Sequence, residues 1–226
     1  MKKEQRIKWQ CGLDVYNMEQ AHAMLDAVGD MPDIIEIGTP LILCEGLRAI
    51  KEVRERLPEK EILVDCKLID ATTFISAPFF EAGADMATVD GGSHDYVISE
   101  MVRYSHELGK PCEIDLMNVK DLEGRAKQLL DMGVDIIGMH APSQALRPNE
   151  IHHHDIRRIL SVVPAEKICI AHSITLDTLD TFLEYKPGIA VVQLPVMIPV
   201  FEGNKELARE NALKINEIFE KHRAML

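Results

Sequence analysis

The stretch EILVDCKLID (residues 61–70) runs an apolar segment straight into three charged side chains, Asp65, Lys67 and Asp70. Alternate residues of an extended strand share a face, so Asp65 and Lys67 are expected on one side and Cys66 on the other. Two carboxylates and an ammonium at one strand end carry a desolvation cost that they, or a ligand, must offset. Such a strand end suits a site that polarises a small oxygenated substrate and moves its protons.

The same design recurs outward in both directions. Further strand candidates are KWQCGLD (8–14), DIIEIG (33–38), ADMATVD (84–90), PCEIDLM (111–117), VDIIGMH (134–140), EKICIAH (166–172) and IAVVQLP (189–195). Amphipathic segments lie between them at 18–28, 44–57, 72–82, 94–108, 121–132, 150–161, 176–184 and 204–222. Several strands are continuous apolar runs rather than alternations, as expected when both faces are covered. The βα unit repeats roughly every 25 to 30 residues with no linker or low-complexity segment. Eight units in 226 residues predict a single (β/α)8 TIM barrel spanning 1–226. A doubly wound open sheet is the alternative, but no GxGxxG follows the first strand and no P-loop occurs.

Composition narrows the function. The net charge is −12 with no run of Lys or Arg, which argues against nucleic acid or an anionic membrane as partner. No apolar stretch approaches the roughly 18 residues of a membrane span, and the N-terminus lacks the apolar core of a signal peptide. Five scattered cysteines without zinc-type spacing read as mostly buried, reduced thiols, and a cytoplasmic location is expected.

In a barrel the C-terminal strand ends converge on the catalytic mouth. Those ends are Asp14, Glu36, Asp65 with Lys67, Asp90, Asp115, His140, His172 and Gln193. Asp14 and Asp90 also suit simple caps of the following turns. Taken together, so many carboxylates near one another need a cation. Hard oxygen ligands suit Mg²⁺, with Glu36 and Asp65 on adjacent strands as the natural pair. Lys67 is placed to stabilise a developing oxyanion, and His140 to carry a proton near neutral pH. His172 fits a structural role as well as a ligand-binding one.

The segments DIIEIGTPLILCEGLRAI (33–50), VDCKLIDA (64–71), FEAGADMATV (80–89), EIDL (113–116) and MHA (139–141) resemble 3-hexulose-6-phosphate synthase and 3-keto-L-gulonate 6-phosphate decarboxylase. Both belong to the orotidine 5′-monophosphate decarboxylase superfamily. The resemblance implies a carbon–carbon lyase working through a metal-stabilised 1,2-enediolate, with Glu36 and Asp65 on Mg²⁺, Lys67 on the enediolate and His140 in proton transfer. It further implies that Asp14 and Asp115 meet substrate hydroxyls, and that Asp70 serves the neighbouring subunit's site in an obligate homodimer.

Two stretches depart from that pattern. The family grips phosphate with glycine-rich turns after strands seven and eight, often helped by an arginine. Here His172 and Ser173 stand at the first place, and Pro195 and Val196 at the second. Proline has no N–H to donate, so the cradle is expected to be absent or rebuilt. His172, Ser173, Gln193 and Arg147 then become candidates for holding a carboxylate or hydroxyl terminus of a substrate without phosphate. GGSHD (91–95) opens a helix and is a weaker anion candidate that an ordinary loop explains. Ser143 occupies the position where the decarboxylase has an arginine, which favours aldol chemistry. The run His152–His154 reads as a solvated turn at a helix start. Loss of catalysis, leaving a binding barrel, ranks last because Asp65, Lys67 and Asp70 are all present.

Overall fold

The computed structural model describes residues 6–117, 119–140, 149–171 and 174–226. Eight parallel strands close into a barrel in the order β1-β2-β3-β4-β5-β6-β7-β8, so every strand neighbours its sequence neighbours. They are β1 (Lys8–Leu13), β2 (Ile34–Ile37), β3 (Glu61–Leu68), β4 (Met86–Asp90), β5 (Glu113–Asp115), β6 (Ile136–His140), β7 (Ile168–Ala171) and β8 (Ile189–Val191). Helices α1 (Met18–Val28), α2 (Thr39–Glu45), α3 (Leu47–Arg56), α4 (Thr72–Glu81), α5 (Asp95–Glu107), α6 (Leu122–Asp131), α7 (Asn149–Leu160), α8 (Leu176–Leu183), α9 (Leu194–Phe201) and α10 (Lys205–Arg223) return the chain between and after the strands. The expected TIM barrel is the fold observed.

Two apolar layers explain the continuous apolar runs. Outward-facing Trp9, Cys11, Leu13, Ile35, Ile37, Ile62 and Val64 join the helices in one large core. Inward-facing Ile34, Leu63, Met86, Cys169, Ile189 and Val191 form a separate plug inside the barrel. A strand sandwiched this way needs apolar side chains on both faces. Above the plug the inward positions turn polar, and that change of character makes the site.

Three elements differ from the sequence expectation. The helix expected over 44–57 is two helices, because Gly46 at φ 58° breaks the path between α2 and α3. The strand expected over 189–195 stops at Val191, and α9, which no periodicity announced, begins at Leu194. Pro195 sits in the first turn of that helix, where its missing N–H has no intrahelical partner to lose. His153 is not solvated: it is partly buried in α7, stacked on Phe182 with ring centroids 4.9 Å apart.

Candidate active site

The polar strand ends open into a cavity of about 350 Å³ lined by Gln10, Asp14, Glu36, Asp65, Lys67, Thr88, Glu113, Asp115, His140 and Gln193, among others. Seven of the residues expected from sequence therefore converge: Asp14, Glu36, Asp65, Lys67, Asp115, His140 and Gln193. Asp70 does not line it; it is exposed in the turn between β3 and α4. Asp90 is turned to a local task, with Oδ1 accepting from the Gly92 N–H at 2.7 Å. His172, Ser173, Arg147 and Ser143 lie outside the described residues.

Strand β3 delivers Lys67 by an irregularity, not by alternation alone. Its register with β4 shifts between Val64 and Leu68, and Lys67 adopts φ 44°, in the left-handed region. A bulge of this kind re-aims a side chain at the cost of local strain. Thr88 of β4 holds the distorted backbone, its Oγ1 accepting from the Lys67 N–H at 2.9 Å and donating to Asp65 Oδ1 at 2.8 Å. The Lys67 ammonium donates to Asp65 Oδ2 at 2.6 Å and lies 3.8 Å from Asp115 Oδ2. Burial alone would lower the lysine's pKa, but the attraction of Asp65, its hydrogen bond and Asp115 outweigh that and raise it. Lys67 is a fixed positive charge.

Asp115 extends the chain to His140, whose Nδ1 lies 3.1 Å from Asp115 Oδ2. A carboxylate at Nδ1 favours a proton there, which leaves Nε2 as the nitrogen that exchanges protons with a ligand. Asp115 is itself fixed by the Met117 N–H donating to Oδ1 at 2.7 Å. Lys67, Asp115 and His140 thus form one connected wall across β3, β5 and β6.

On the opposite wall, no cation among the described residues is in direct contact with the carboxylates. Gln10 Nε2 donates to Glu36 Oε2 at 2.7 Å, and Gln193 Nε2 donates to Asp14 Oδ2 at 2.9 Å. Burial, then repulsion from Asp65 and Asp14, lifts Glu36 well above the usual carboxylate range. Burial likewise raises Asp14, against the lowering effect of Gln193. Gly38 is needed for this approach: a Cβ there would lie 2.3 Å from Asp14 Oδ1 and 2.9 Å from the Leu13 carbonyl.

The donor set fits a hard divalent cation. Glu36 and Asp65 end adjacent strands, and the raised Glu36 pKa marks a carboxylate that lacks its counter-charge. Among the described residues no cluster of three or more His, Cys, Asp or Glu forms a ready cage. Two carboxylates completed by water and substrate oxygens is the arrangement Mg²⁺ commonly takes.

Gln10, Thr39, Thr88 and Glu113 were not singled out from sequence. Thr39 Oγ1 donates to the Asp65 carbonyl at 2.8 Å, and Thr88 and Glu113 each sit two positions before a polar strand end. The period-two rule that put Asp115 and Asp90 inward also puts Glu113 and Thr88 inward. GGSHD is a closed loop, with Arg125 donating to the Gly91 carbonyl at 2.7 Å and the Ser93 carbonyl at 2.8 Å.

Residues 8–192 match the orotidine 5′-phosphate decarboxylase / HUMPS family. The chain belongs to that family. It is 36% identical to 3-hexulose-6-phosphate synthase from Bacillus subtilis (strain 168) over 186 residues, 82% of this chain and 89% of that protein. It is 32% identical to 3-hexulose-6-phosphate synthase from Staphylococcus aureus (strain USA300), again over 82% of this chain and 89% of the relative. The crystal structure of 3-hexulose-6-phosphate synthase from Salmonella typhimurium superposes with a TM-score of 0.86 at 30% identity, covering 96% of this chain and all of that one (100%). 3-Keto-L-gulonate-6-phosphate decarboxylase from Vibrio cholerae shares the fold, with a TM-score of 0.79 at 22% identity over 96% of this chain and 98% of that one. This member of the decarboxylase/HUMPS family is a carbon–carbon lyase of carbohydrate metabolism.

Proposed function

We propose that this lyase is a Mg²⁺-dependent aldolase of the hexulose-phosphate synthase type, making and breaking the bond between formaldehyde and a five-carbon ketose phosphate. The observation that carries this reading is the connected wall in which Lys67 lies between Asp65 and Asp115 while Asp115 also holds His140. His140 Nε2 takes the proton from the carbon beside the ketose carbonyl, and the electron pair left behind forms the enediolate. Lys67 lies where the enediolate oxygen charge develops, and its fixed ammonium is worth most in a site that excludes water. The enediolate carbon then attacks formaldehyde, and the new alkoxide takes a proton; bond cleavage runs the same steps backward. Glu36 and Asp65 would hold the divalent ion, which would supply charge neutralisation for the substrate oxygens. Asp14 and Asp115, with Gln193, orient substrate hydroxyls.

Lys67→Ala tests the reading. Turnover of the hexulose 6-phosphate with Mg²⁺ is expected to fall by at least about 10²–10³-fold, the loss typical of removing one preorganised oxyanion partner. Unchanged turnover would refute it.

One observation favours a second reading, in which the ligand carries no phosphate. At the start of α9, Pro195 has no N–H, and the Val196 and Met197 N–H groups are spent on the Gln193 carbonyl at 3.0 and 2.9 Å. The names of the relatives argue for a sugar phosphate, so the choice rests on comparing turnover of phosphorylated and unphosphorylated hexuloses.

The homodimer is supported by an apolar surface around Asp70. Leu43 on α2, Ile69 beside Asp70, Phe74 on α4 and Tyr96 on α5 are 79%, 69%, 84% and 68% exposed. Large apolar side chains left exposed on the consecutive elements α2, α4 and α5 and beside Asp70 support an interaction surface there. If Asp70 completes the partner's site, Asp70→Asn and Lys67→Ala dimers are each inactive, and mixing them restores part of the activity through hybrid dimers. Absence of any recovery, with subunit exchange verified, would exclude a shared site.

A further inference from the structure

Below the catalytic carboxylates, two buried oxygens facing the barrel interior have no hydrogen-bond partner among the described residues: Gln10 Oε1 and Glu113 Oε2. Their residues are 2% and 4% exposed, and both line the cavity. They come from β1 and β5, which lie four strands apart in the closed barrel and so face each other across it. Glu113 lies one inward position deeper than Asp115, and Gln10 two deeper than Asp14.

Two inward positions beside them, where a barrel normally carries branched side chains, carry none. Gly12 is the inward residue between Gln10 and Asp14, and a Cβ there would reach 3.3 Å from Asp14 Oδ2 and 3.4 Å from Glu36 Oε2. Gly138 plays the same part beside Glu113, where a Cβ would come 3.3 Å from Oε1. Two side-chain-free positions therefore flank two polar side chains that each lack one partner. A core that only needed filling would use apolar residues here, because an unpaired buried oxygen is costly.

We propose that Gln10 and Glu113 form a second polar layer that takes one hydroxyl of a polyhydroxylated ligand, Glu113 Oε2 donating to it and Gln10 Oε1 accepting from it. The proposal rests on the reading that a sugar occupies this cavity. One hydroxyl has both a proton to give and lone pairs to receive, so it satisfies both orphan atoms at once. Glu113 is equipped to donate: burial, then repulsion from Asp115 and Asp65, pushes it up to about 8, against the weaker lowering effects of Cys169 and Lys67. The layer fixes how deep the sugar chain sits and makes Glu113 a specificity determinant.

The test measures Kd for D-ribulose 5-phosphate by calorimetry with Mg²⁺, alongside turnover, in wild type, Glu113→Gln and Glu113→Leu. Glutamine keeps a donor at the same reach and is expected within about 3-fold of wild type. Leucine keeps volume but no donor and is expected to weaken binding by at least about 10-fold. Wild-type affinity in Glu113→Leu, or equal weakening in both variants, overturns the proposal. Should the leucine variant not fold, a crystal of the wild type soaked with the same sugar phosphate decides. A sugar hydroxyl within hydrogen-bond reach of Gln10 and Glu113 supports the proposal, and a lone water or an empty floor overturns it. A wild type that neither binds nor turns over pentulose or hexulose phosphates overturns the proposed function along with it, which separates the two failures.

Discussion

The two walls of the cavity are made of the same material and solved differently. On β3, β5 and β6, Asp65 and Asp115 flank the Lys67 ammonium, and Asp115 also holds His140. On β1 and β2, the partners of Asp14 and Glu36 among the described residues are side-chain amides, Gln193 and Gln10. An amide satisfies a carboxylate's geometry without neutralising its charge. The surroundings act accordingly: Asp65 and Asp115 hold Lys67 in its charged form, whereas burial pushes Asp14 and Glu36 toward their neutral forms. Among the described residues the amide-held wall is the side without a cation, and Mg²⁺ held by Glu36 and Asp65 would supply one.

Glu36→Gln breaks this contrast most sharply. It removes the buried charge but keeps an oxygen for the Gln10 amide, so the metal-free protein should become more stable while metal-dependent turnover falls by about 10²-fold or more. Melting temperature as a function of Mg²⁺ concentration reads both effects, since a ligand at free concentration L that binds only the folded state stabilises it by RT ln(1 + L/Kd). Wild type is expected to gain stability with Mg²⁺, and the variant to start higher in EDTA and gain little. A variant that starts lower and still responds to Mg²⁺ would place the ion elsewhere.

Strand parity made most of this legible. The polar ends Glu36, Asp65, Asp115 and His140 could be read from short apolar runs because a buried strand leaves few ways to place a charge. What parity missed lay one step deeper or depended on distortion. Thr88 looks like an ordinary strand threonine until the bulge at Lys67 needs an acceptor. Glu113 was hidden in EIDL by the more conspicuous Asp115. Helix α9 was illegible because LPVMIPVF has apolar residues on all sides and two prolines, so it carries no helical period to detect. Pro195 and Pro199 fit only once the short helix packs against α10.

Glu113 gives the next largest effect, read as a pH slope in the metal-free protein. Burial and the neighbouring carboxylates raise its folded pKa from the ordinary glutamate value of 4.5 to about 8, so the folded state binds the proton more tightly than the unfolded chain. Stability from this group is therefore complete below about 4.5 and lost as pH rises through about 8. The slope is at most about 1.4 kcal/mol per pH unit. Urea unfolding in EDTA from pH 5 to 9 is expected to show wild type losing stability relative to Glu113→Gln. Parallel curves would mean that the buried acid is compensated by something the cavity geometry does not reveal.

The smallest effect sharpens the comparison at the paired wall itself. Thr88 is the single hydroxyl joining the strained Lys67 backbone to the Asp65 carboxylate. Thr88→Val keeps the shape but leaves the Lys67 N–H and Asp65 Oδ1 each short of one partner. Leaving such groups unpaired costs about 1–3 kcal/mol, roughly 2–12 °C in Tm for a chain of this size. Turnover should fall by about 10-fold through kcat, with KM little changed, because Lys67 loses its aim before the substrate loses its contacts. Thr88→Ser retains the hydroxyl and is expected to recover most of both. If valine and serine behave alike, the bulge holds Lys67 without help, and the ion pairs with Asp65 and Asp115 alone set its position.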